Sequence, residues 1–170
     1  GYLALFERGL TMSNCRRVSE GLASEALLAE LWCAYRAPGA VAAATGRFAE
    51  IDRVVVGGGR VLHFLEIKTR RNRATDYATT IVKLSKHKAA RSLYEATRLP
   101  TYLLVVFTDE ARVFRLDEPP DEYLRFVTGR HCGYRVERGL VLPVLFSEYQ
   151  KRTSLRGGDK DGGVESPVSA

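Results

Sequence analysis

Residues 19–35 place Leu27, Leu28, Leu31, Trp32 and Tyr35 at the spacing of one helical face, which predicts a first helix stopped near Ala37-Pro38-Gly39. The small residues at 40–46 read as a strand. Two β-branched runs follow, at 50–56 and 61–69, split by Gly57-Gly58-Gly59-Arg60. That glycine run predicts a hairpin, because a phosphate-cradling loop would lead from a strand into a helix and here strand follows strand. Residues 79–97 predict a second helix, capped by Ser85 and stopped by Leu99-Pro100. The apolar run at 101–107 reads as a strand buried on both faces, with 111–117 as its hairpin partner. A short helix is expected over 121–127, a strand over 134–146, and a polar, glycine-rich tail from 153 to 170. No internal repeat is present. The order is α-β-β-β-α-β, an α/β fold with a mixed sheet flanked by helices, in one domain over 13–150 with an N-terminal extension over 1–12.

Chemistry concentrates in the first hairpin. Side chains alternate along a strand, so Glu50 and Asp52 share one face, and Glu66 and Lys68 share one on the returning arm. One register sets Asp52 beside Glu66. Facing carboxylates repel unless a cation lies between them. Two carboxylates, a backbone carbonyl and water suit a hard divalent ion such as Mg²⁺, and such a site suits phosphoryl chemistry. Lys68 is then placed to steady an attacking water or the developing charge. The plainer reading is a solvated strand face with no ligand.

The segments EID and FLEIKTR around the hairpin resemble the core motif of the PD-(D/E)XK nuclease superfamily, nearest to its bacterial and phage resolvase-like endonucleases. The resemblance covers about residues 21–107 and implies a restriction-endonuclease-like αβββαβ core. It also implies that Asp52 and Glu66 bind Mg²⁺ with the Ile67 carbonyl, Mn²⁺ substituting, and that Lys68 is the motif lysine. Many members add a glutamate from the first helix. Gly21 and Glu25 match that pattern, whereas Glu20 lies nearer the centre of the apolar stripe, so both stay open with Glu25 preferred. By the same resemblance Lys88 matches a helix lysine.

Charge points the same way. The chain carries 26 Lys and Arg against 20 Asp and Glu, a net +6. Residues 66–91 alone hold eight cations and two acids, an excess equal to that of the whole chain. Arg70, Arg71, Arg73, Lys83, Lys86 and Lys88 are therefore expected to contact phosphates, although such a strip also serves as an ordinary solvated face. Lys86 is out of place, falling among Val82, Ala89 and Leu93 at helical spacing. The three cysteines are scattered with no C-x-x-C, which argues against a zinc site or disulfide framework and fits a reducing, cytoplasmic setting. No apolar run is long enough to span a membrane. Glu7 and Arg8 interrupt the apolar start, so it does not read as a signal peptide, and Met12 reads as a natural start. Together these features predict a Mg²⁺-dependent endonuclease that hydrolyses DNA, branched or junction DNA included, the latter requiring a homodimer. The alternatives are a non-catalytic nucleic-acid-binding or phage structural module of the same fold, and an RNA-processing nuclease.

Overall fold

A computed structural model describes residues 12–46 and 49–157 of the chain. Residues 1–11 of the expected extension and 158–170 of the expected tail lie outside the described residues. Helix α1 (Met12–Arg36) starts earlier than the apolar spacing predicts. Leu27, Leu28, Leu31 and Trp32 are buried as expected, while Tyr35 is exposed. Pro38, which has no amide donor, cannot continue the helix, and Gly39 turns the chain with a φ of +81°.

Strand β1 (Val41–Ala44) pairs antiparallel with β2 (Arg53–Gly57), and β2 pairs with β3 (Arg60–Thr69). Gly57 faces Arg60, leaving Gly58 and Gly59 as the turn. Their φ values of +59° and +73° are those of a type I′ turn, whose twist matches that of the strands it joins. The hairpin expected from the glycine run is therefore present.

The segment expected as one helix over 79–97 divides. Thr79, Thr80, Ile81 and Val82 are four β-branched residues in succession, stiff in a helix and well suited to a pleated strand. They form β4 (Thr79–Lys83), and helix α2 (Leu84–Thr97) begins at the next residue. Ser85 does not cap this helix. Its hydroxyl donates instead to Glu50 Oε2 at 3.2 Å.

Strand β5 (Thr101–Val106) runs parallel to β3 and antiparallel to β6 (Ala111–Arg115). The segment expected to be a short helix is strand β7 (Glu122–Phe126), held in a hairpin by β8 (Gly129–Arg135). The single strand expected over 134–146 is also replaced. Strand β8 ends in one 3₁₀ turn (Val136–Arg138), β9 (Leu140–Val141) pairs with β6, and α3 (Pro143–Gly157) follows. Proline is well placed in a first helical turn, since its missing amide has no partner there. Helix α3 carries the chain as far as Gly157, so the expected tail is helical at its start.

The strands form a six-stranded sheet, in the order β1-β2-β3-β5-β6-β9, and a three-stranded sheet, β4-β8-β7. Alternate residues of β5 feed two cores. Leu104 and Val106 join Val55, Leu65 and Ile67 beneath α1 and the Leu145 side of α3. Leu103 and Val105 face the other way, toward α2 and the small sheet, with Val82, Ala90, Cys132 and Tyr134. Glu66 and Lys68, next to Leu65 and Ile67 on β3, point to this second side.

Candidate active site

The β2–β3 register pairs Arg53 with Leu65 and so brings Asp52, just before β2, to the level of Glu66. Backbone bonds fix both carboxylates. The Asp52 amide donates to Glu66 Oε2 at 3.1 Å, and the Ile67 amide donates to Asp52 Oδ2 at 3.4 Å. Glu66 is completely buried, whereas the Asp52 side chain is 25% exposed.

Two ammonium groups meet this pair. Lys86 Nζ lies 2.7 Å from Glu66 Oε1 and 3.5 Å from Asp52 Oδ1, and it donates to the Glu50 carbonyl at 2.6 Å. Lys68 Nζ lies 3.3 Å from the same Glu66 oxygen. Glu66 Oε1 is thus buried and met only by these two ammonium groups. Burial pushes the Glu66 carboxyl up to about 7, against the pull of Lys86 and with the Asp52 charge adding to the rise. Burial also opposes the charge on Lys86, but Glu66 and Asp52 outweigh it and hold that ammonium above its ordinary range.

Glu25, from α1, stands at the edge of this cluster. Its carboxylate lies 3.6 Å from the Arg53 guanidinium. Partial burial raises its pKa, and the charge of Asp52 raises it further. Glu20 lies on the exposed surface of α1.

The oxygen set fits a hard divalent cation. A buried carboxylate oxygen and a second, partly exposed carboxylate already share a cationic group at Lys86 Nζ. Among the described residues no cluster of three or more Asp, Glu, His or Cys is present. Mg²⁺ suits such a sparse set, because it commonly takes one or two carboxylates and completes its shell with water and phosphate.

The basic strip separates into different environments. Arg71, Lys83 and Lys88 are exposed. Arg73 is exposed too, but pairs with Asp109 at 3.5 Å. Arg70 and Lys86 depart from the surface placement expected of them. The Arg70 guanidinium turns inward and donates to the Ile81 carbonyl, tying β3 to β4, and burial lowers its pKa. Lys86 sits between the carboxylates, a place its position on the apolar stripe had signalled without showing its purpose.

An αβββαβ arrangement that sets an aspartate and a Glu-x-Lys on adjacent arms of a hairpin has the architecture of the PD-(D/E)XK nucleases. Residues 32–142 match the family described as "Phage putative PDDEXK endonuclease", and the chain belongs to that family. It is thus a nuclease. The Holliday junction resolvase Hjc of the archaeal hyperthermophile Archaeoglobus fulgidus is similar in structure, with a TM-score of 0.45 at 17% identity over 71% of this chain and 89% of that one. No curated protein matches the chain. Among the described residues, no helix is long and apolar enough to cross a membrane.

Proposed function

We propose that the protein is a Mg²⁺-dependent endonuclease that hydrolyses phosphodiester bonds in DNA at the Asp52–Glu66 site. The observation that carries this reading is the fully buried Glu66 carboxylate, whose Oε1 meets only ammonium groups while Asp52 stands beside it. Asp52, Glu66 and the Ile67 carbonyl would hold the cation. A divalent ion there supplies positive charge that polarises the scissile phosphate and stabilises the leaving oxygen. Lys68, 3.3 Å from Glu66 and one-third exposed, is placed to orient the attacking water and to neutralise charge on the phosphate. Water attacks in line, forming one P–O bond as the opposite one breaks. Glu25, its pKa raised, borders the site and can accept a hydrogen bond, and then a proton, from that water as the P–O bond forms. Arg71, Lys83 and Lys88 supply exposed charge for the flanking phosphates.

Cleavage of labelled branched, duplex and single-stranded substrates, with Mg²⁺ or EDTA, tests the reading. Asp52→Asn and Glu66→Gln should each abolish cleavage yet bind DNA normally in Ca²⁺. Lys68→Ala should lose rate rather than affinity, and Glu25→Gln should slow cleavage where Glu20→Gln does not. Near wild-type cleavage by either metal-ligand variant would sink the assignment.

A further inference from the structure

We infer that the β7–β8 hairpin is a DNA-contacting wedge whose apolar tip stacks against an unpaired or splayed base, so that the nuclease prefers branched or interrupted duplexes. This rests on the reading of the protein as a DNA nuclease and names the substrate class that suits it.

The hairpin is built against its own stability. Phe126 pairs with Gly129, leaving Val127 and Thr128 as the two turn residues. Gly129 takes the positive-φ position of this turn, at +119°, so Val127 and Thr128 carry no backbone strain and the cost at the tip is exposure alone. Here a valine stands at the tip, fully exposed, beside Phe126 at 46% exposure. Behind the tip, Arg125 faces Arg130 directly across the strands. Like charges in that position repel. Neither arginine forms an ion pair among the described residues. A hydrophobic tip and two opposed cations are each unfavourable in water. Both become favourable against a polyanion that offers the face of a base.

The surroundings fit that occupant. Arg130 and Thr128 line a cleft of about 350 Å³ with Lys83, Ser85 and Lys88 at the head of α2. Ser85 hydrogen-bonds Glu50, and Lys86 takes the Glu50 carbonyl while pairing with Glu66. Contacts through Ser85, Glu50 and Lys86 thus connect the head of α2, which lines this cleft, to the carboxylates. The Phe126 ring rests edge-on against His131, with centroids 5.2 Å apart, so it is supported rather than loose. Apolar side chains inserted at a base step cost unstacking energy, and that cost is smallest where the helix is already interrupted.

The test uses the full chain in Ca²⁺, with fluorescence anisotropy for affinity and 2-aminopurine at the branch to report unstacking. A three-way branched DNA is compared with a continuous duplex of the same sequence. Wild-type protein should favour the branched DNA and raise the 2-aminopurine signal. Phe126→Ser/Val127→Ser should lose about tenfold in affinity for branched DNA, the worth of roughly one stacked base, and leave duplex binding within about twofold. Arg125→Glu turns repulsion into attraction, so its Tm should rise while affinity for both DNAs falls and the salt slope drops by about one to two units. Unaltered branch preference in the double variant overturns the inference, as does a lowered Tm for Arg125→Glu. Equal preference for a branched RNA overturns the commitment to DNA. If wild-type protein binds neither DNA, the underlying nuclease reading on DNA fails instead.

Discussion

Replacing Lys86 with methionine removes the one ammonium that touches both carboxylates, at 2.7 Å from Glu66 and 3.5 Å from Asp52. Deleting one partner of a buried pair generally costs about 3–5 kcal/mol, because it strands a charge. Glu66 can escape part of that cost by taking up a proton. Burial already brings its carboxyl to about 7, so the further penalty accrues only above that pH, at about 1.4 kcal/mol per unit. Lys86→Met should therefore lose about 1–2 kcal/mol of unfolding free energy at pH 8 and almost none at pH 5, where Glu66 is protonated in both proteins. Adding Mg²⁺ should stabilise the variant more than the wild type, since no ammonium has to be displaced; occupancy at a hundredfold over Kd contributes about 2.7 kcal/mol. Equilibrium urea unfolding at both pH values, in EDTA and in Mg²⁺ at matched ionic strength, measures all of these terms. An equal loss at pH 5 and pH 8, or a Mg²⁺ response no larger than that of the wild type, would refute the placement of Lys86 as a counter-ion to the two carboxylates proposed to hold the metal.

The metal-free wild type should itself be pH-sensitive. A carboxyl whose pKa is raised in the folded state contributes most below its ordinary 4.5 and loses that contribution as pH rises to about 7. The unfolding free energy in EDTA should thus fall by up to about 3 kcal/mol across that window, and Glu66→Gln should flatten the fall; a flat wild-type profile would contradict the burial argument. Arg70→Ala should lower Tm without changing the salt slope of DNA binding, because its guanidinium is held by the Ile81 carbonyl. Arg71→Ala should do the opposite, flattening the slope by about one unit at unchanged Tm, and salt titrations beside thermal melts separate the two.

The first hairpin was legible because glycines of the right number stand between two β-branched runs, and the hairpin in turn set Asp52 beside Glu66. The boundary between β4 and α2 was hidden. No Gly, Pro or Asn separates Lys83 from Leu84, so a strand and a helix read as one helical segment. Strand β7 is hidden for a related reason. Its sequence EYLRF does not alternate cleanly in polarity, and its pairing with β8 is tertiary information. The start of α3 reads as a strand because LVLPVLF is apolar throughout, which masks the helix-opening position of Pro143. By composition alone Arg70 and Lys86 read as surface charge. Only the packing of β4 and α2 against β3 shows that both are drawn inward by specific oxygen partners.

The loop-free passage from β4 into α2 also bears on how modular this nuclease is. Lys83 closes a strand bonded to β8, and Lys86 follows three residues later in contact with the carboxylates. No intervening segment exists to absorb a change of angle. Exchanging the whole small sheet for that of a relative would re-aim the helix and its lysine along with it. An exchange confined to residues 126–130 would not. With the proposed wedge role, recognition can be re-engineered separately from chemistry at the tip of this unit, but not at its root.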